Sequence, residues 1–236
     1  MRAICLPLLA IFLAGCDEIN LDIGGSDRYR EDFHFSYPLT TGGTLRVDNF
    51  NGAVEISGWD KNTVEIDGTK YASTEYRLRE MKVDIVPTAN SITIRTLPPL
   101  DHRGNAGARY TIRVPKKTML AGIVSSNGAI RVEDIEGDTR LHTSNGGVHA
   151  TRLIGPLDVQ TSNGTVEVSE ITGDTTLRSS NGTIRADVRK GRFGATTSNG
   201  SITVHLMEPD SSPVRITPYS SLNSISKVMG QTTRAD

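Results

Sequence analysis

The tripeptide Ser-Asn-Gly occurs five times in this chain in strict register, and that register limits the fold more than any other property of the sequence. The copies are Ser126-Asn127-Gly128, Ser144-Asn145-Gly146, Ser162-Asn163-Gly164, Ser180-Asn181-Gly182 and Ser198-Asn199-Gly200, each 18 residues after the last. A fixed period of this kind marks a repeat whose units bury their apolar side only by stacking on neighbours. With Ser126 as position 1, position 5 reads Ile130, Val148, Val166, Ile184 and Ile202, and position 7 reads Val132, Ala150, Val168, Ala186 and Val204. Position 6 between them is polar throughout: Arg131, His149, Glu167, Arg185 and Thr203. Position 16 is Leu141, Val159, Leu177 and Ala195, and position 10 opens with Ile135, Leu153 and Ile171. Apolar and polar residues alternating with period two indicate strands, not helices. Each unit therefore holds two short strands, roughly positions 4–8 and 14–18, joined by turns.

Both turns are legible. Position 12 is Gly137, Gly155, Gly173 and Gly191, followed by turn-forming residues such as Asp138, Pro156 and Asp174. The other turn is the Asn-Gly pair, which also suits a simple hairpin. A meander of hairpins, however, has no need of an identical asparagine in every unit, whereas stacked coils do. Stacking brings equivalent residues about 4.8 Å apart, so Asn127, Asn145, Asn163, Asn181 and Asn199 would form a ladder of side-chain amides, each satisfying the next. Position 18, with Thr143, Thr161, Ser179 and Thr197, shares the inward parity of position 16. The asparagines are expected to face inward at the same corner; exposed turn asparagines are the plainer alternative. The chain thus reads as all-β: a single-stranded β-solenoid, a β-helix-like roll with 18-residue coils.

The pattern starts before the first tripeptide. Leu45, Val47, Asn49, Asn51-Gly52, Val54 and Ile56 match the later coils, with Asn51 at the ladder position. Trp59, the single tryptophan, falls where Ile135 sits in the next coil and is expected to plug this end of the core. Val64-Glu65-Ile66 adds a strand, Ser73 to Glu80 a short helix, and Lys82–Val86 with Ser91–Thr96 a hairpin around Pro87-Thr88-Ala89-Asn90. A Pro- and Gly-containing loop, Leu97 to Ala108, precedes a strand at Tyr110–Val114. This irregular region is expected to cap one end of the solenoid, because a bare coil exposes unpaired backbone groups. At the other end the period breaks at Glu208-Pro209, and Leu222-Asn223-Ser224-Ile225 reads as a last, degenerate coil. The domain reading is residues 1–15 a signal peptide, 16–32 a lipidated cysteine and tether, 33–120 the first coil with its β cap, and 121–236 the regular solenoid.

Charge and composition exclude some roles. With 26 basic and 27 acidic side chains the chain has no strongly basic face for nucleic acid, and 5% aromatic residues provide no stacking platform. Arg2 followed by the apolar run Ala3 to Ala14 is too short to span a bilayer. Its ending, Leu13-Ala14-Gly15-Cys16, resembles the lipobox of bacterial lipoproteins. That resemblance implies cleavage before Cys16, a diacylglyceryl group on its thiol and an acylated amine, palmitate among the chains. Several chains on one residue anchor a protein stably to a membrane, unlike a single chain. An ordinary signal peptide with a chance cysteine is the alternative. Asp17 resembles an inner-membrane retention signal on a periplasm-facing lipoprotein, with the outer membrane as the other address. Cys5 lies in the removed segment, so the mature chain keeps one cysteine and no internal disulfide.

The opening Asn51-Gly52…Gly58-Trp59-Asp60, the strand Tyr110-Thr111-Ile112-Arg113-Val114-Pro115 and the Asn-Gly coils together resemble the DUF4097 family of adhesin-like proteins with a toast-rack-like β-fold. The resemblance runs from Leu45 onward. It implies that fold and carries over no catalytic residue.

The residues themselves offer little chemistry. Asp138 and Asp174, at position 13 two coils apart, would lie about 9–10 Å from each other, at the edge of the spacing of an inverting glycosidase pair. Both sit in Gly-Asp turns, with Pro156 between them and Arg192 in the same file. The serines recur in every coil, which is architecture rather than nucleophile design. His142 and His149 have no third ligand at metal spacing. Glu167 beside Arg185 reads as an exposed ion pair. No glycine loop precedes a helix to cradle phosphate. The expected role is a lipid-anchored envelope module, without cofactor, metal or catalysis, whose outward polar files contact a glycan, peptidoglycan or protein. The alternatives are a polysaccharide lyase or hydrolase, and a regulatory partner in envelope-stress sensing.

Overall fold

The computed structural model describes residues 27–101, 103–206, 214–218 and 225–229. The repeats contribute β8 (Met119–Asn127), β9 (Ile130–Glu136), β10 (Thr139–Thr143), β11 (Val148–Ile154), β12 (Leu157–Asn163), β13 (Val166–Thr172), β14 (Thr175–Asn181), β15 (Ile184–Lys190), β16 (Phe193–Asn199) and β17 (Ile202–Leu206). Alternate members fall on opposite walls of a flattened coil and pair only with their equivalents one turn away. On one wall Val148 faces Val166, Val166 faces Ile184 and Ile184 faces Ile202; on the other Leu141 faces Val159, Val159 faces Leu177 and Leu177 faces Ala195. All these pairings are parallel, so the 18-residue period is one winding of backbone. The expected all-β solenoid is the observed fold. Strands β18 (Val214–Pro218) and β19 (Ile225–Met229) continue both walls in parallel, and so form a further coil after the break. Glu208-Pro209 and Leu222–Ser224 lie outside the described residues.

Inward positions form one continuous apolar core between the walls; Ile130, Val148, Val159, Val166, Leu177 and Ile184 are each 0% exposed. At the Asn-Gly corner the backbones come very close. A methyl group built on Gly128, Gly146, Gly164 or Gly182 would lie 2.0–2.1 Å from the carbonyl oxygen of the glycine one coil before it. Only glycine permits that approach. The hydroxyls of position 18 close the corner from inside: Thr143, Thr161, Ser179 and Thr197 donate to the carbonyls of Gly128, Gly146, Gly164 and Gly182 at 3.0, 3.1, 3.3 and 3.1 Å. These hydroxyls are buried and satisfy acceptors that would otherwise be stranded beside the core.

A second column explains how the strand changes parity. Asp134, Arg152 and Glu170, at position 9, all have φ of 55–58°, a left-handed conformation uncommon for such residues. This residue breaks the alternation, so that positions 5, 7 and 10 all face inward. In the next coil no residue at this place has positive φ; the strand alternates without interruption and Val188 takes the core position opposite Ile171. The same logic overturns the expectation for Trp59. Gly58 is not among the positive-φ residues, so alternation continues and turns Trp59 outward. The indole is half-buried, donates its Nε1–H to the Thr63 carbonyl at 2.8 Å, and lies under Lys61 and Arg113. It does not plug the core.

The first part of the chain is β1 (Tyr29–Pro38), β2 (Thr44–Asn51), β3 (Val54–Trp59), β4 (Thr63–Ala72), α1 (Glu75–Glu80), β5 (Lys82–Pro87), β6 (Ser91–Leu97) and β7 (Ala106–Pro115). One sheet runs β1-β4-β7-β3-β9 and on through the repeats; the other ends β8-β2-β6-β5. The region expected to be an irregular cap is therefore half coil. β6 and β7 pair in parallel with β2 and β3, making a complete coil stacked below the one that precedes it in sequence. The chain then passes over to place β8 and β9 on the other side of β2 and β3. The capping proper is antiparallel: β4 on β7, β1 on β4 and β5 on β6, the last being the expected hairpin. The expected helix forms as α1, capped by the Thr74 hydroxyl on the Arg77 amide. Tyr110 of β7 is buried with its hydroxyl 2.6 Å from that of Thr96, and burial pushes its pKa up to about 12.

The glycine column predicts a sharp contrast. Gly164→Ala should destabilise the protein by about 1–3 kcal/mol through overpacking, read as a lower denaturation midpoint. Gly147→Ala, where a methyl meets nothing nearer than 3.4 Å, should stay within about 0.5 kcal/mol.

Candidate functional site

The asparagines do pile into a file. Asn145, Asn163, Asn181 and Asn199 each donate Nδ2–H to the Oδ1 of the asparagine one coil earlier, at 2.8, 2.9, 2.9 and 2.8 Å, the first acceptor being Asn127. Their orientation differs from the inward one expected. All five are exposed. Strand parity would carry them inward after position 18, but the backbone turns the corner there, and the inner corner is already filled by the glycine carbonyls and the position-18 hydroxyls. Asn51 stands in register with Asn127, and its Nδ2 donates to Asn105 Oδ1 at 3.1 Å and to the Ala106 carbonyl at 2.8 Å. Asn105, in turn, donates to Asp27 Oδ1 at 2.7 Å. The sequence reading missed Asn105 because its coil is spatially out of order and lacks an Asn-Gly pair. Asn49 occupies the position-18 place in the first coil and is 0% exposed, its amide bridging the Gly52 and Ala108 carbonyls at 3.0 and 2.8 Å.

The wall made by β3, β9, β11, β13 and β15 presents charges that pair from coil to coil. Arg131 bonds Glu55 at 2.8 Å, His149 contacts Glu167 at 3.2 Å, and Arg185 bonds Glu167 at 2.9 Å, as expected for the last pair. At the edge of this wall, the left-handed column lines a groove of about 290 Å³ with Lys116, Asp134, Arg152, Glu170 and Arg189. Arg152 grips Asp134 with two bonds of 2.7 and 3.0 Å, and Arg189 bonds Glu170 at 2.7 Å. Arg152 holds the Asp134 carboxyl below its ordinary pKa. A wider depression of about 630 Å³ lies over β1, β4 and β7, lined by Asp32, His34, Asp67, Thr69, Arg109 and Thr111. Within it His34 bonds Asp67 and Thr69 bonds Asp32, both at 2.6 Å. These grooves depend on cross-coil contacts that no local sequence signal announces.

Each member of the candidate carboxylate pair is paired with an arginine. Asp174 is gripped by Arg192, whose Nε and backbone amide lie 2.8 and 3.1 Å from it, and this side-chain bond lowers its pKa. A general acid requires the opposite shift. Asp138 bonds Arg140 at 3.0 Å instead. His142 and His149 sit on β10 and β11, on opposite walls, so they share no site. Among the described residues no group of three or more His, Cys, Asp or Glu is disposed to hold a metal ion. Nor is any helix among them long and apolar enough to cross a membrane. Cys16 and Asp17 lie outside the described residues.

No protein-family model and no curated protein matches this sequence. Similar solved structures include proteins named as putative adhesins from Bacteroides fragilis and Parabacteroides distasonis. The first is 13% identical with a TM-score of 0.46, over 84% of this chain and 97% of that one. The second is 13% identical with a TM-score of 0.47, over 84% and 93%. A putative lipid binding protein from Parabacteroides distasonis is 13% identical with a TM-score of 0.35, over 84% and 96%.

Two measurements check this geometry. In the exposed ladder Asn163→Ala should cost about 0.5 kcal/mol, since water replaces the lost amides, whereas Thr161→Val, which removes the buried hydroxyl that the Gly146 carbonyl accepts from, should cost about 1–3 kcal/mol. Because the folded-state pKa of Asp174 is lowered, its pairing contributes above the ordinary carboxylate range and is lost as pH falls through the lowered value. Arg192→Gln should therefore move the Asp174 titration upward, toward the ordinary value, in a carbon-detected NMR pH series.

Proposed function

We propose that this chain is a lipid-anchored module of the bacterial cell envelope that binds a glycan or protein surface against a rigid polar wall and does no chemistry on it. The observation that carries the reading is the file Glu55–Arg131 and His149–Glu167–Arg185, whose polar side chains pair between coils. Side chains ordered in advance lose little freedom when a partner docks, so a flat wall of this kind binds with a small entropic cost. The lowered pKa of Asp174 argues against that residue serving as a general acid. The lipobox at Leu13–Cys16 supports acylation of Cys16, and Asp17 favours the periplasmic side of the inner membrane over the outer membrane. The Asn51-Gly52…Trp59 opening, the Tyr110–Pro115 strand and the Asn-Gly coils support membership of the DUF4097 adhesin-like group.

The test is retention of the full chain on peptidoglycan sacculi and on a glycan array, with release of reducing ends followed in parallel. Saturable retention without release is expected, reduced several-fold by Arg185→Glu, which sets like charges side by side on the wall. Steady release of reducing ends that disappears in Asp174→Asn would show an enzyme instead.

A further inference from the structure

Four of the large apolar side chains left exposed gather where the chain enters the fold. Leu100 is 87% exposed, Tyr76 66%, Leu97 46% and Tyr29 37%. Tyr29 opens β1 opposite Ala72, and Ala72 in turn lies opposite Ala106, the first residue of β7. Helix α1, which carries Tyr76, follows Ala72 after two residues and packs on β4 and β1. Leu97 closes β6, and Leu100 lies in the segment that joins β6 to β7, which Arg77 of α1 holds at this corner through the Asp101 carbonyl. Of the other large apolar residues exposed among those described, Phe35 lies farther along β1, and Val86, Met119 and Ile154 lie on β5, β8 and β11.

The corner is firmly built. Arg77 is only 5% exposed and spends its guanidinium on the loop, donating to the Asp101 carbonyl and, at 3.0 Å, to the Gly104 carbonyl. The Ser73 amide ties the end of the same loop through the Asn105 carbonyl at 2.9 Å. Beneath, Leu78, Met81, Ala72 and Ala106 form a small apolar cluster of their own. Leu100 and Tyr76 are therefore displayed by a braced support, with their apolar surface left uncovered.

What covers it follows from where the chain comes from. Asp27 is pinned at the corner by Asn105 and by the guanidinium of Arg109. Ten residues separate it from Cys16. Fully extended at about 3.3–3.6 Å per residue they reach only about 35 Å. An acylated Cys16 would therefore tether the solenoid by this end, whereas β19 lies at the other end of the ten-stranded sheet, about 43 Å away at about 4.8 Å per strand. The charges agree. Arg28, Arg30, Lys82 and Arg103 are exposed on the segments that meet here, and among the described residues none of their side chains is in an ion pair; the Asp101 carboxylate accepts only from the Arg103 backbone amide. Of the nearby acids Glu75 is paired with Arg79, while Glu80, which accepts from the neutral Tyr76 hydroxyl, and Asp101 keep their charge, so these four cations still outnumber the two unneutralised carboxylates. Tyrosines and leucines flanked by unpaired cations are the side chains that settle at the headgroup level of an anionic membrane.

We infer that the corner formed by Tyr29, Tyr76, Leu97 and Leu100 docks into the surface of an anionic phospholipid bilayer, orienting the solenoid on its anchor. The inference rests on the proposed acylation of Cys16. Docking would present the long polar walls away from the lipid, available to an envelope partner.

The experiment uses the full chain made with its own N-terminus in a bacterial host and reconstituted into phosphatidylethanolamine–phosphatidylglycerol vesicles. Two single-tryptophan forms are compared: the native one, with Trp59 at the opposite end of its strand from this corner, and Trp59→Phe combined with Leu100→Trp. In vesicles whose acyl chains carry bromine, the introduced indole should lose half or more of its emission and shift to the blue, while Trp59 should change little. Flotation with the vesicles and the mass of the Cys16 peptide report the anchor separately. If the chain floats and carries the acyl mass but the introduced indole is unquenched, the anchor stands and the docking is overturned; a protein partner at this corner would give that result. If the Cys16 peptide carries no acyl mass and the chain fails to float, the anchor and the docking fall together.

Discussion

The close approach of one glycine backbone to the next at the Asn-Gly corner governs the rest of this structure. Because Gly164 sits where any side chain would strike the Gly146 carbonyl, successive coils are drawn together at that edge and held in one register. The carbonyl that makes the approach tight also needs a donor on its inner side, and the hydroxyl of position 18 supplies it. Once those two requirements are met, the amides of position 2 are left on the outside at hydrogen-bonding distance, and their ladder follows as a consequence of the corner rather than its cause.

The opposite end of each first strand meets a different demand. The strand must present inward residues at positions 5, 7 and 10, which uniform alternation forbids. A single left-handed residue resolves it, at a backbone cost of order 1 kcal/mol at Asp134, Arg152 and Glu170. The same residues carry the ion pairs that line the groove at this edge, so the change in parity also sets which charges lie side by side. Where the chain omits the device, a core position moves by one residue, as at Val188, or a large side chain is turned to solvent, as at Trp59. Surface chemistry here is thus a product of how the backbone manages its core.

Much of the fold was legible because a period of 18 repeats the same physical problem and its solution. Inward files of Ile, Val and Leu, both glycine columns, the hairpin and the short helix can be found by counting. Three things could not. The inward reading of the asparagines extended strand parity one step past the last strand residue inside the coil, and parity carries no information about where the chain bends. Trp59 was aligned by number with Ile135, although the two coils differ by a left-handed residue between them. The stacking of β6 and β7 beneath β2 and β3 reverses sequence order, and Asn105 joined the ladder only through that reversal.

By itself, then, the sequence determined the winding: one turn per repeat, which residues are apolar enough to line it, and which glycines the corners demand, all from local alternation and spacing. Tertiary structure alone decided which way the corner asparagines point, which charges become neighbours, and that four apolar side chains remain uncovered beside the point where the chain enters. The reason is physical. Alternation is a property of one strand and is written in consecutive residues, whereas facing, pairing and exposure depend on residues a full coil or more apart, brought together only when the coils stack.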